Sequence, residues 1–580
     1  MLRRVLIGAL LASLAVAFSA PARAATQVLM PNVSYARTVQ FTAHGPIVLH
    51  VITAPRPGGL YQLKPLLSNG TILGTERVTS MQKDVSGAAT VAGVNGDLFN
   101  FKDGHPSGML MQNRVLQSPP YRFRSSVGIS GDGRLNVARV SFFGYWQGLG
   151  QRRPLTGLNQ PPRGDGTSLF TPAYGATTPR IPGVVEAVLQ PFPPAVPGQE
   201  LPGVVTLQRS GGGTAIPRNG AVLLARGSQV SKLQQEATAG TPVVTRLILS
   251  PDWLASGVTD ALGGGPVIVR NGRAVWTAGE DFLPTQLGPR NPRTAVGQRR
   301  DGKIVLLAVD GRRRGYSVGM TNWELAQAMV RLGAVTASAL DAGGSTTMAF
   351  DGKLINRPSD PGGERSVAET LAVLYTGVYA PPPSLPVVSP NGDGVGERQQ
   401  LAYKVVAPST VTASLVGPGG VTAFSETSSR LAGTYSYTWP SNARRRRQND
   451  PLGRWRWIVS ATDEGGRKSS VERAFWLNDT LGFMRVAPRA VKLRPRSRKA
   501  VVARFKLSYG ARVTPSIWTT YGVLIRKLPS RALAPGSRAI AWNGRFRNGR
   551  LVYRGTYVFK VFAQNSYGPV ELNQRFSIRR

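Results

Sequence analysis

Cysteine is absent from all 580 residues of the sequence. This absence excludes disulfide bonds, catalysis by a thiolate and zinc sites with cysteine ligands. A chain of this length can build cores that are stable without disulfides. Histidine is also scarce, with three residues in the whole chain, and one of them, His105, lies in a motif considered below.

Acidic residues are few: 30 Asp and Glu stand against 71 Lys and Arg, which gives a formal net charge of +41. From Leu481 to the end, 22 basic residues accompany one acidic residue, Glu571, so about half of the net charge lies in the last sixth of the chain. Such an excess indicates polyanionic surroundings: nucleic acid, acidic cell-envelope polymers or anionic membrane. We interpret the basic end as a docking surface rather than a reaction site.

Long hydrophobic runs are missing except at the start of the chain. Residues 1–24 begin with two arginines, Arg3 and Arg4, and continue with an apolar stretch from Val5 to Phe18 and a small-x-small sequence that ends at Ala24. This order predicts a secretory signal peptide; a membrane anchor is the alternative, but the stretch is shorter than the roughly 20 residues that span a bilayer. We therefore expect an exported bacterial protein, secreted or held at the cell surface or in the periplasm, with no transmembrane segment in its mature form.

Glycine and proline are abundant, with 67 and 44 residues, and favour turns and short strands over long helices. Asn-Gly and Asp-Gly pairs between apolar runs recur through residues 26–378, which predicts antiparallel hairpins. The clearest helix is "TNWELAQAMVRLGA", where Thr321 and Glu324 have the spacing of a capping box. Residues 146–220 are rich in Pro, Gly and Arg, and there we expect long loops or a small excursion from the core.

The chain changes character after the first domain. Residues 379–390 form a stiff proline-rich linker. Residues 391–480 and 483–580 end alike, with "GRWRWIVSATDEGGRKSSVERAFWL" in one and "GTYVFKVFAQNSYGPVELNQRFSI" in the other. Each reads as a Gly-aromatic strand, a turn and a closing strand, which predicts two tandem β-sandwich modules.

The stretch "ALDAGGSTTMAF", residues 339–350, places Asp341, two glycines and three hydroxyl residues between two apolar runs. It continues a predicted buried strand that follows the predicted helix. Backbone amides in a Gly-Gly turn can converge on an anion and hydroxyls add donors, so phosphate fits this motif. A plain tight turn is the alternative interpretation.

Polar residues recur at three other predicted strand ends. "RNPRTAVGQ" carries arginines suited to bidentate binding of phosphate. "GVNGDLFNFKDGHPSGML" and "NRPSDPGGERSVAETLAVLY" supply carboxylates, a histidine and further arginines.

Five stretches, "GVNGDLFN", "GGGPVIVRNG", "NPRTAVGQ", "LDAGGSTTM" and "NRPSDPGGERSVAETLAVL", together resemble the phosphodiester glycosidases, which are related to the lysosomal uncovering enzyme, over most of residues 85–377. The resemblance implies a pocket formed by Asn95, Gly96, Arg293, Thr294, Asp341, Gly343, Gly344, Ser345, Thr346 and Arg365. The chain departs from the family at Ala342 and Asp97, where glycine is usual. Asp97 is then either an added catalytic group or a turn residue.

The resemblance implies hydrolysis of the glycosidic bond of a sugar-1-phosphodiester, of N-acetylhexosamine type, in envelope or extracellular glycans. We expect Arg293 and Arg365 to hold the phosphate. The hydroxyls of Ser345 and Thr346 and nearby amides are expected to assist them.

Asp341 is the expected nucleophile or the base that activates water. The proton is assigned to Glu364 or His105, while Glu364 is alternatively a structural partner of Arg365. The motifs identify no required cofactor, and calcium or another divalent ion is the candidate that they leave open.

The segment "SPNGDGVGERQQLAY" resembles the opening of FlgD-like and related immunoglobulin-like bacterial repeats, and "AWNGRFRNGRLVYRGTYVFKV" resembles their closing hairpin. The resemblance implies spacer or adhesion modules. The predicted fold class is therefore α+β: a sheet-rich catalytic domain with few helices, followed by two all-β immunoglobulin-like sandwiches. Asn391, Asp393 and Glu397 alternate around glycines, and they either ligate calcium or another divalent ion or cap a turn.

The basic run "ARRRRQND", residues 443–450, is either a solvated hairpin loop or, together with the last module, a binding surface for anionic cell-wall polymers such as teichoic acids or phosphorylated glycans.

Three functions are possible for the whole chain. A secreted hydrolase is supported by the ordered motifs, and a catalytically inactive cell-wall or polyanion-binding protein is the alternative. A nucleic-acid binder rests on net charge alone, and the predicted export and the lack of a nucleic-acid-binding signature argue against it.

Overall fold

The computed structural model describes residues 26–162, 164–276, 278–440, 450–493 and 500–579. The predicted signal peptide, residues 1–24, lies outside the described residues, and so do residues 443–449 of the basic run. Within the described ranges, no helix is long and apolar enough to cross a membrane.

The first domain is built mainly from short strands. Its strands are β1 Thr26–Met30, β2 Val33–Thr42, β3 Gly45–Ala54, β4 Tyr61–Leu67, β5 Glu76–Arg77, β6 Thr90–Asn95, β7 Leu110–Gln112, β8 Val115–Ser118, β9 Ser125–Ser130, β10 Leu135–Arg139, β11 Ser141–Gln147, β12 Arg153–Pro154, β13 Gly157–Leu158, β14 Gly166–Phe170, β15 Val184–Leu189, β16 Glu200–Ser210, β17 Ala221–Arg226, β18 Pro242–Ser250, β19 Val258–Gly263, β20 Val267–Arg270, β21 Arg273–Ala274, β22 Arg293–Arg299, β23 Ile304–Val309, β24 Ala334–Ala339, β25 Met348–Phe350, β26 Lys353–Leu354, β27 Ser366–Val367 and β28 Glu369–Tyr375. The α-helices in the described ranges are α1 Val78–Asp84, α2 Gln229–Glu236, α3 Pro284–Leu287 and α4 Asn322–Arg331.

Two sheets face each other across the main core of this domain. One has the order β1-β2-β3-β23-β22-β24-β20-β21 and the other β26-β25-β6-β28-β4. Apolar side chains from the first sheet, such as Ile52 and Leu306, pack against Val94 and Leu371 from the second. Strands β6, β23 and β28 are buried along nearly their whole length, because both of their faces are covered.

Helix α4 covers the outer face of the larger sheet, where Leu325 and Met329 pack against residues of β22, β23 and β24. The predicted capping box is confirmed: the Glu324 amide donates to the Thr321 hydroxyl, and the Thr321 amide donates to the Glu324 carboxylate. The chain therefore runs from this helix through β24 into residues 341–347 in a fixed direction.

Residues 141–250 supply most of a third sheet, of order β12-β11-β18-β16-β15-β17-β14-β13. Of the two alternatives for residues 146–220, long loops are wrong, and the segment instead forms strands of a sheet with its own core. The strand β16 alternates exposed and buried residues over most of its length, which is the pattern of a strand with one covered face. Its buried residues, including Leu201, join Trp146 and Leu247 in a core of their own.

Two all-β modules complete the chain. Their strands are β29 Val387–Val388, β30 Gln399–Val405, β31 Ser409–Val416, β32 Thr422–Arg430, β33 Gly433–Trp439, β34 Gly453–Asp463 and β35 Lys468–Leu477 in one module, and β36 Leu481–Ala487, β37 Ala490–Lys492, β38 Val501–Leu507, β39 Ala511–Thr519, β40 Leu524–Lys527, β41 Arg531–Leu533, β42 Gly536–Trp542, β43 Gly555–Asn565 and β44 Gly568–Arg579 in the other. In each module two sheets enclose one aromatic-rich core. The predicted fold class is confirmed as a sheet-rich domain with few helices followed by an all-β region.

The proline-rich segment 379–390 is docked onto the first module. Its strand β29 pairs in parallel with β35, and Tyr379 exchanges backbone hydrogen bonds with Lys404.

Candidate functional site

A cavity of about 230 Å³ lies where the end of β24 meets the start of β22 and the loop after β6. Its lining includes two carboxylates, from Asp97 and Asp341, and two arginines, Arg293 and Arg312. The cavity thus brings together side chains from segments that are far apart in sequence.

Asn95, at the end of β6, ties three of these segments together. Its side-chain oxygen accepts hydrogen bonds from the Thr294 hydroxyl at 2.8 Å and from the Thr347 amide at 3.1 Å. Its nitrogen donates to the carbonyl of Asp341 at 2.9 Å. The Thr294 hydroxyl also contacts that of Thr346 at 3.3 Å. The polar groups of this network bond one another, so these residues position the turn rather than offering groups to a ligand.

Asp341 follows β24 and lines the cavity with 8% of its surface exposed. The pKa of its carboxyl is raised to about 6, mainly by burial, and the nearby charge of Asp97 contributes to this rise. Hydrogen bonds from the Ser345 hydroxyl and from the Ala342 amide, the latter at 2.7 Å, act in the opposite direction. Asp341 is therefore a buried carboxylate whose ionised form is stabilised by two hydrogen bonds.

Asp97 faces the same cavity and is 3% exposed. Burial raises its pKa to about 6, and the Arg124 guanidinium, 4.0 Å away, and the Leu98 amide offset this only in part. Neither carboxylate oxygen has a hydrogen-bond partner among the described residues. The ionised form of Asp97 thus has less hydrogen-bond support than that of Asp341.

Glu369, at the start of β28, is a third buried carboxyl, and the sequence interpretation missed it. Its Oε1 accepts the Asp97 amide at 3.1 Å, and Oε2 has no partner within the described ranges. Burial, with the charge of Asp97, raises the pKa of Glu369 to about 8. Gly96 is the residue that admits this side chain, because a Cβ there would lie 2.6 Å from Glu369 Cγ.

Arg293 lines the cavity, but much of its guanidinium donates hydrogen bonds to backbone carbonyls. Its Nε donates to the Met320 carbonyl at 3.0 Å, and its Nη2 donates to the carbonyls of Leu287 and Pro289. Burial and the neighbouring charge of Arg312 lower its pKa to about 10. Arg293 therefore holds the cavity wall together while adding positive charge to it.

Arg312 lines the cavity and reaches Gly343 of the glycine turn, and it was not among the sequence candidates. A Cβ on Gly343 would lie 3.0 Å from Arg312 Nη2, so the guanidinium covers that glycine. Its Nε donates to the Asn291 side chain at 2.9 Å. The run "GRRRG" after β23 was the available signal, but nothing in the sequence singles out its first arginine.

Arg365 lies on the other side of the turn. It pairs with Asp360 at 2.7 Å, and its Nη1 contacts the Ser345 hydroxyl at 3.5 Å. A Cβ on Gly344 would fall 2.2 Å from its Nη2. Its charge lowers the pKa of Asp341, so it acts on that carboxylate from behind the turn rather than from among the residues that line the cavity.

The turn itself is a single 3₁₀ turn, Gly343–Ser345, in which Gly343 has φ +70°. The Gly343 amide donates to the Pro292 carbonyl at 3.0 Å. That amide therefore already has an acceptor and is not available to a ligand. The positive charge of the cavity comes from side chains and from the start of α4.

Asn322, the first residue of α4, lines the cavity and is fully buried. Its amide nitrogen contacts the Trp276 carbonyl at 3.4 Å, and its oxygen has no partner in the described part of the chain. The positive end of the helix dipole is directed at this region.

Two sequence candidates lie apart from the cavity lining. The Glu364 carboxylate accepts the amide of Thr79 at 2.9 Å and its hydroxyl at 2.7 Å, at the start of α1. The ring nitrogens of His105 contact the carbonyls of Pro106 and Asn159 at 2.7 and 2.9 Å. Both side chains are occupied by structural contacts.

The oxygen-rich loop of the first module bonds mainly to its own backbone. The Glu397 Oε1 accepts the amides of Gly392 and Gly394, and Asp393 accepts those of Val395 and Phe483. Asn391 Oδ1 accepts the Asp393 amide. Among the described residues there is no cluster of three or more His, Asp or Glu side chains that could hold a metal. The arrangement is that of a capped turn that also contacts the second module.

The phosphodiester glycosidase family model matches residues 202–374 of this chain. That segment contains Arg293, Arg312, Asp341 and Glu369. Shorter segments match curated proteins. An 89-residue stretch is 43% identical to an uncharacterized SPbeta prophage-derived protein of Bacillus subtilis and covers 15% of this chain and 14% of that protein.

A 68-residue stretch is 43% identical to the N-acetylglucosamine-1-phosphodiester alpha-N-acetylglucosaminidase of Bos taurus and covers 12% of each protein. These relatives are thus matched over about one seventh of their length or less. The crystal structure of a hypothetical protein from Synechocystis is similar over 62% of this chain and 64% of that chain, with a TM-score of 0.53 and 25% identity.

Proposed function

We propose that the protein hydrolyses the glycosidic bond of a sugar-1-phosphodiester, of N-acetylhexosamine type, in envelope or extracellular glycans. The observation that carries this proposal is one cavity that holds two buried carboxyls, Asp97 and Asp341, together with two arginines, Arg293 and Arg312. The family match over residues 202–374 supports glycosidase chemistry on phosphodiester sugars.

The phosphate of the diester binds at the cationic part of the cavity. Arg312 is the principal contact, because its guanidinium lies at the glycine turn and its fork suits two phosphate oxygens. Arg293 and the start of α4 add positive potential from the surrounding wall. This revises the sequence expectation, in which Arg293 and Arg365 held the phosphate.

The two carboxyls take different roles because their hydrogen bonds differ. Asp341 accepts bonds from Ala342 and Ser345, so it is the ionised group that acts as nucleophile or as base for water. The carboxyl oxygens of Asp97 have no hydrogen-bond partner among the described residues, and for this reason we assign it the role of acid, which passes a proton to the leaving phosphate. Glu369, with its pKa raised to about 8, stays neutral near pH 7 and spares the site a third negative charge.

Bond cleavage then follows from this arrangement. The bond between the anomeric carbon and the bridging oxygen breaks, and its electron pair leaves with the phosphate, which Arg312 stabilises. A water oxygen ends on the anomeric carbon, and one of its protons passes to a carboxylate. Because the leaving group is already an anion, charge stabilisation contributes more than proton donation.

The predicted signal peptide and the two terminal modules bear on where the protein acts. Export through residues 1–24 and immunoglobulin-like, FlgD-like character of the two terminal modules stay proposals based on sequence. The cavity keeps both carboxyls and its arginines, and for this reason we favour a hydrolase over the inactive polyanion-binding protein that the sequence left open.

The test is incubation of the full chain with an N-acetylglucosamine-1-phosphodiester in ¹⁸O-labelled water. Release of N-acetylglucosamine that carries the label supports cleavage at the anomeric carbon. Label in the phosphate instead would assign a phosphodiesterase that cuts the P–O bond. If the folded native protein released neither sugar nor phosphate, the hydrolase proposal would be wrong and the alternative, a catalytically inactive binding protein, would be favoured.

A further inference from the structure

A second concave site lies on the last module, far along the chain from the catalytic cavity. It is a groove of about 820 Å³ at the hairpin after β42 and beside β40. Its lining includes Arg545, Phe546, Arg547, Arg550, Leu551 and Tyr553.

The groove is shaped by the backbone and by a few packed side chains. The Phe546 amide donates to the Arg550 carbonyl at 2.8 Å and closes the tip of the hairpin. The Trp542 indole donates to the Arg545 carbonyl at 3.1 Å and anchors its base to the core. The rings of Phe546 and Tyr553 meet edge to face, with centroids 6.0 Å apart. Its form therefore does not depend on the exposed arginine side chains.

Arg547 and Arg550 carry positive charge on the groove, and the described residues provide no acidic partner for either side chain. Arg547 and Arg550 are exposed, and no carboxylate in the described part of the chain forms a salt bridge with them. The one acidic residue after Leu481, Glu571, pairs with Lys560 at 2.9 Å instead. The groove thus presents two guanidinium groups that have no salt-bridge partner in the described ranges, together with Tyr553, which is 70% exposed.

We propose that this groove binds an anionic polysaccharide that carries phosphate groups. Arg547 and Arg550 bind the phosphates with paired N–H donors, and the exposed face of Tyr553 packs against a sugar ring. Charge complementarity selects an anion, and the open shape admits a polymer chain. A single exposed ring argues against single-stranded nucleic acid, whose successive bases stack on successive aromatic side chains.

This site is independent of the proposed hydrolase activity, and its test measures binding alone. The full chain is titrated with dextran phosphate, and the groove variant Arg547→Ser/Arg550→Ser is compared with Arg504→Ser/Arg512→Ser. The control pair removes the same charge from exposed positions of the same module outside the groove lining. We expect a loss of affinity of about 10-fold or more for the groove variant and less than 3-fold for the control pair.

A neutral substitution, Tyr553→Ala, separates sugar recognition from charge. We expect it to weaken binding of dextran phosphate about 5-fold and to leave binding of inorganic polyphosphate unchanged. Melting temperatures of all variants close to that of the native chain confirm that the module is intact.

Three outcomes would overturn the proposal. Equal losses in the groove and control variants assign binding to the general charge of the module. Equal losses for dextran phosphate and polyphosphate on Tyr553→Ala remove sugar from the recognition. Tighter binding of oligo-dT than of dextran phosphate, reduced by the groove variant, assigns the groove to nucleic acid.

Discussion

The carboxyl groups of Asp97 and Asp341 line one cavity, and burial raises the pKa of each to about 6. They come from the loop after β6 and from the end of β24, which are more than 240 residues apart in sequence. Asp341 has two hydrogen-bond donors, whereas neither oxygen of Asp97 has a partner among the described residues. The pair therefore exchanges protons as pH passes through about 6, and the charge on Asp341 has the more hydrogen-bond donors.

Replacing Asp341 by Asn is expected to lower kcat for a sugar-1-phosphodiester by at least about 1000-fold. The reason is that the ionised group that attacks the anomeric carbon, or that activates water, is lost. The fold is expected to persist, since the Asn95 bond reaches the Asp341 carbonyl and not its side chain. Release of sugar at a fixed substrate concentration measures the effect.

The matched control for Asp341→Asn is Glu364→Gln, which neutralises another sequence candidate. Its carboxylate bonds to Thr79 and lies apart from the cavity lining. Turnover within a few-fold of the native rate is expected. If Glu364→Gln abolished turnover while Asp341→Asn kept it, the assignment of the base would be wrong.

The stability of the protein is expected to fall as pH rises, through Asp97. Its pKa is about 6 in the folded state against a usual value of 3.8, so its protonated form favours folding. This stabilisation is complete below about pH 4 and is lost as pH rises through about 6, with a size on the order of 3 kcal/mol.

Asp97→Asn removes this dependence. Its melting temperature is therefore expected to exceed that of the native chain at pH 8 and to approach it at pH 4, as measured by thermal unfolding at both values. A variant that is less stable than the native chain at pH 8 would contradict the burial account.

Arg312→Ala is expected to reduce kcat/KM for the phosphodiester by about 100-fold, since the guanidinium that stabilises the leaving phosphate is removed. Arg312→Lys should recover only part of this loss, because an ammonium keeps the charge but not the paired N–H donors. Arg314→Ala is the control, as Arg314 is exposed and outside the cavity lining. Equal effects at positions 312 and 314 would refute the specific role of Arg312.

Gly96→Ala is expected to destabilise the first domain by about 1–3 kcal/mol, because the new methyl group would lie 2.6 Å from Glu369 Cγ in a buried setting. Gly87→Ala is the control, since a Cβ there meets no atom within 4 Å. Thermal unfolding of both variants and of the double variant Gly96→Ala/Glu369→Ala separates the clash with Glu369 from the general effect of adding a methyl group. The double variant should lose less than the sum of the single losses.

Adding calcium or a chelator is expected to leave the melting temperature unchanged. The oxygens of Asn391, Asp393 and Glu397 already accept backbone amides, so a cation would have to displace these bonds. A calcium-dependent rise of more than a few degrees would contradict the capped-turn interpretation and favour a metal site.

Local sequence signals predicted local structure well. Thr321 and Glu324 form the capping box of α4, and Asn271 and Asp351 adopt the left-handed backbone that their Asn-Gly and Asp-Gly turns require. These features depend on residues within four positions of one another, and for that reason a short stretch of sequence specifies them. The alternation in β16 was equally local, but the surrounding Pro and Gly obscured it.

The sequence by itself determined the sheet-rich first domain, the all-β region after it, the excess of positive charge and several of the segments that meet at Asp341. Tertiary structure decided which groups face the cavity. Arg293 meets three backbone carbonyls that close around it, whereas Arg312 reaches Gly343, and Glu369 enters the site only because Gly96 leaves room for it. A side chain's partner depends on which distant backbone lies next to it, and no residue type or local spacing encodes that neighbour.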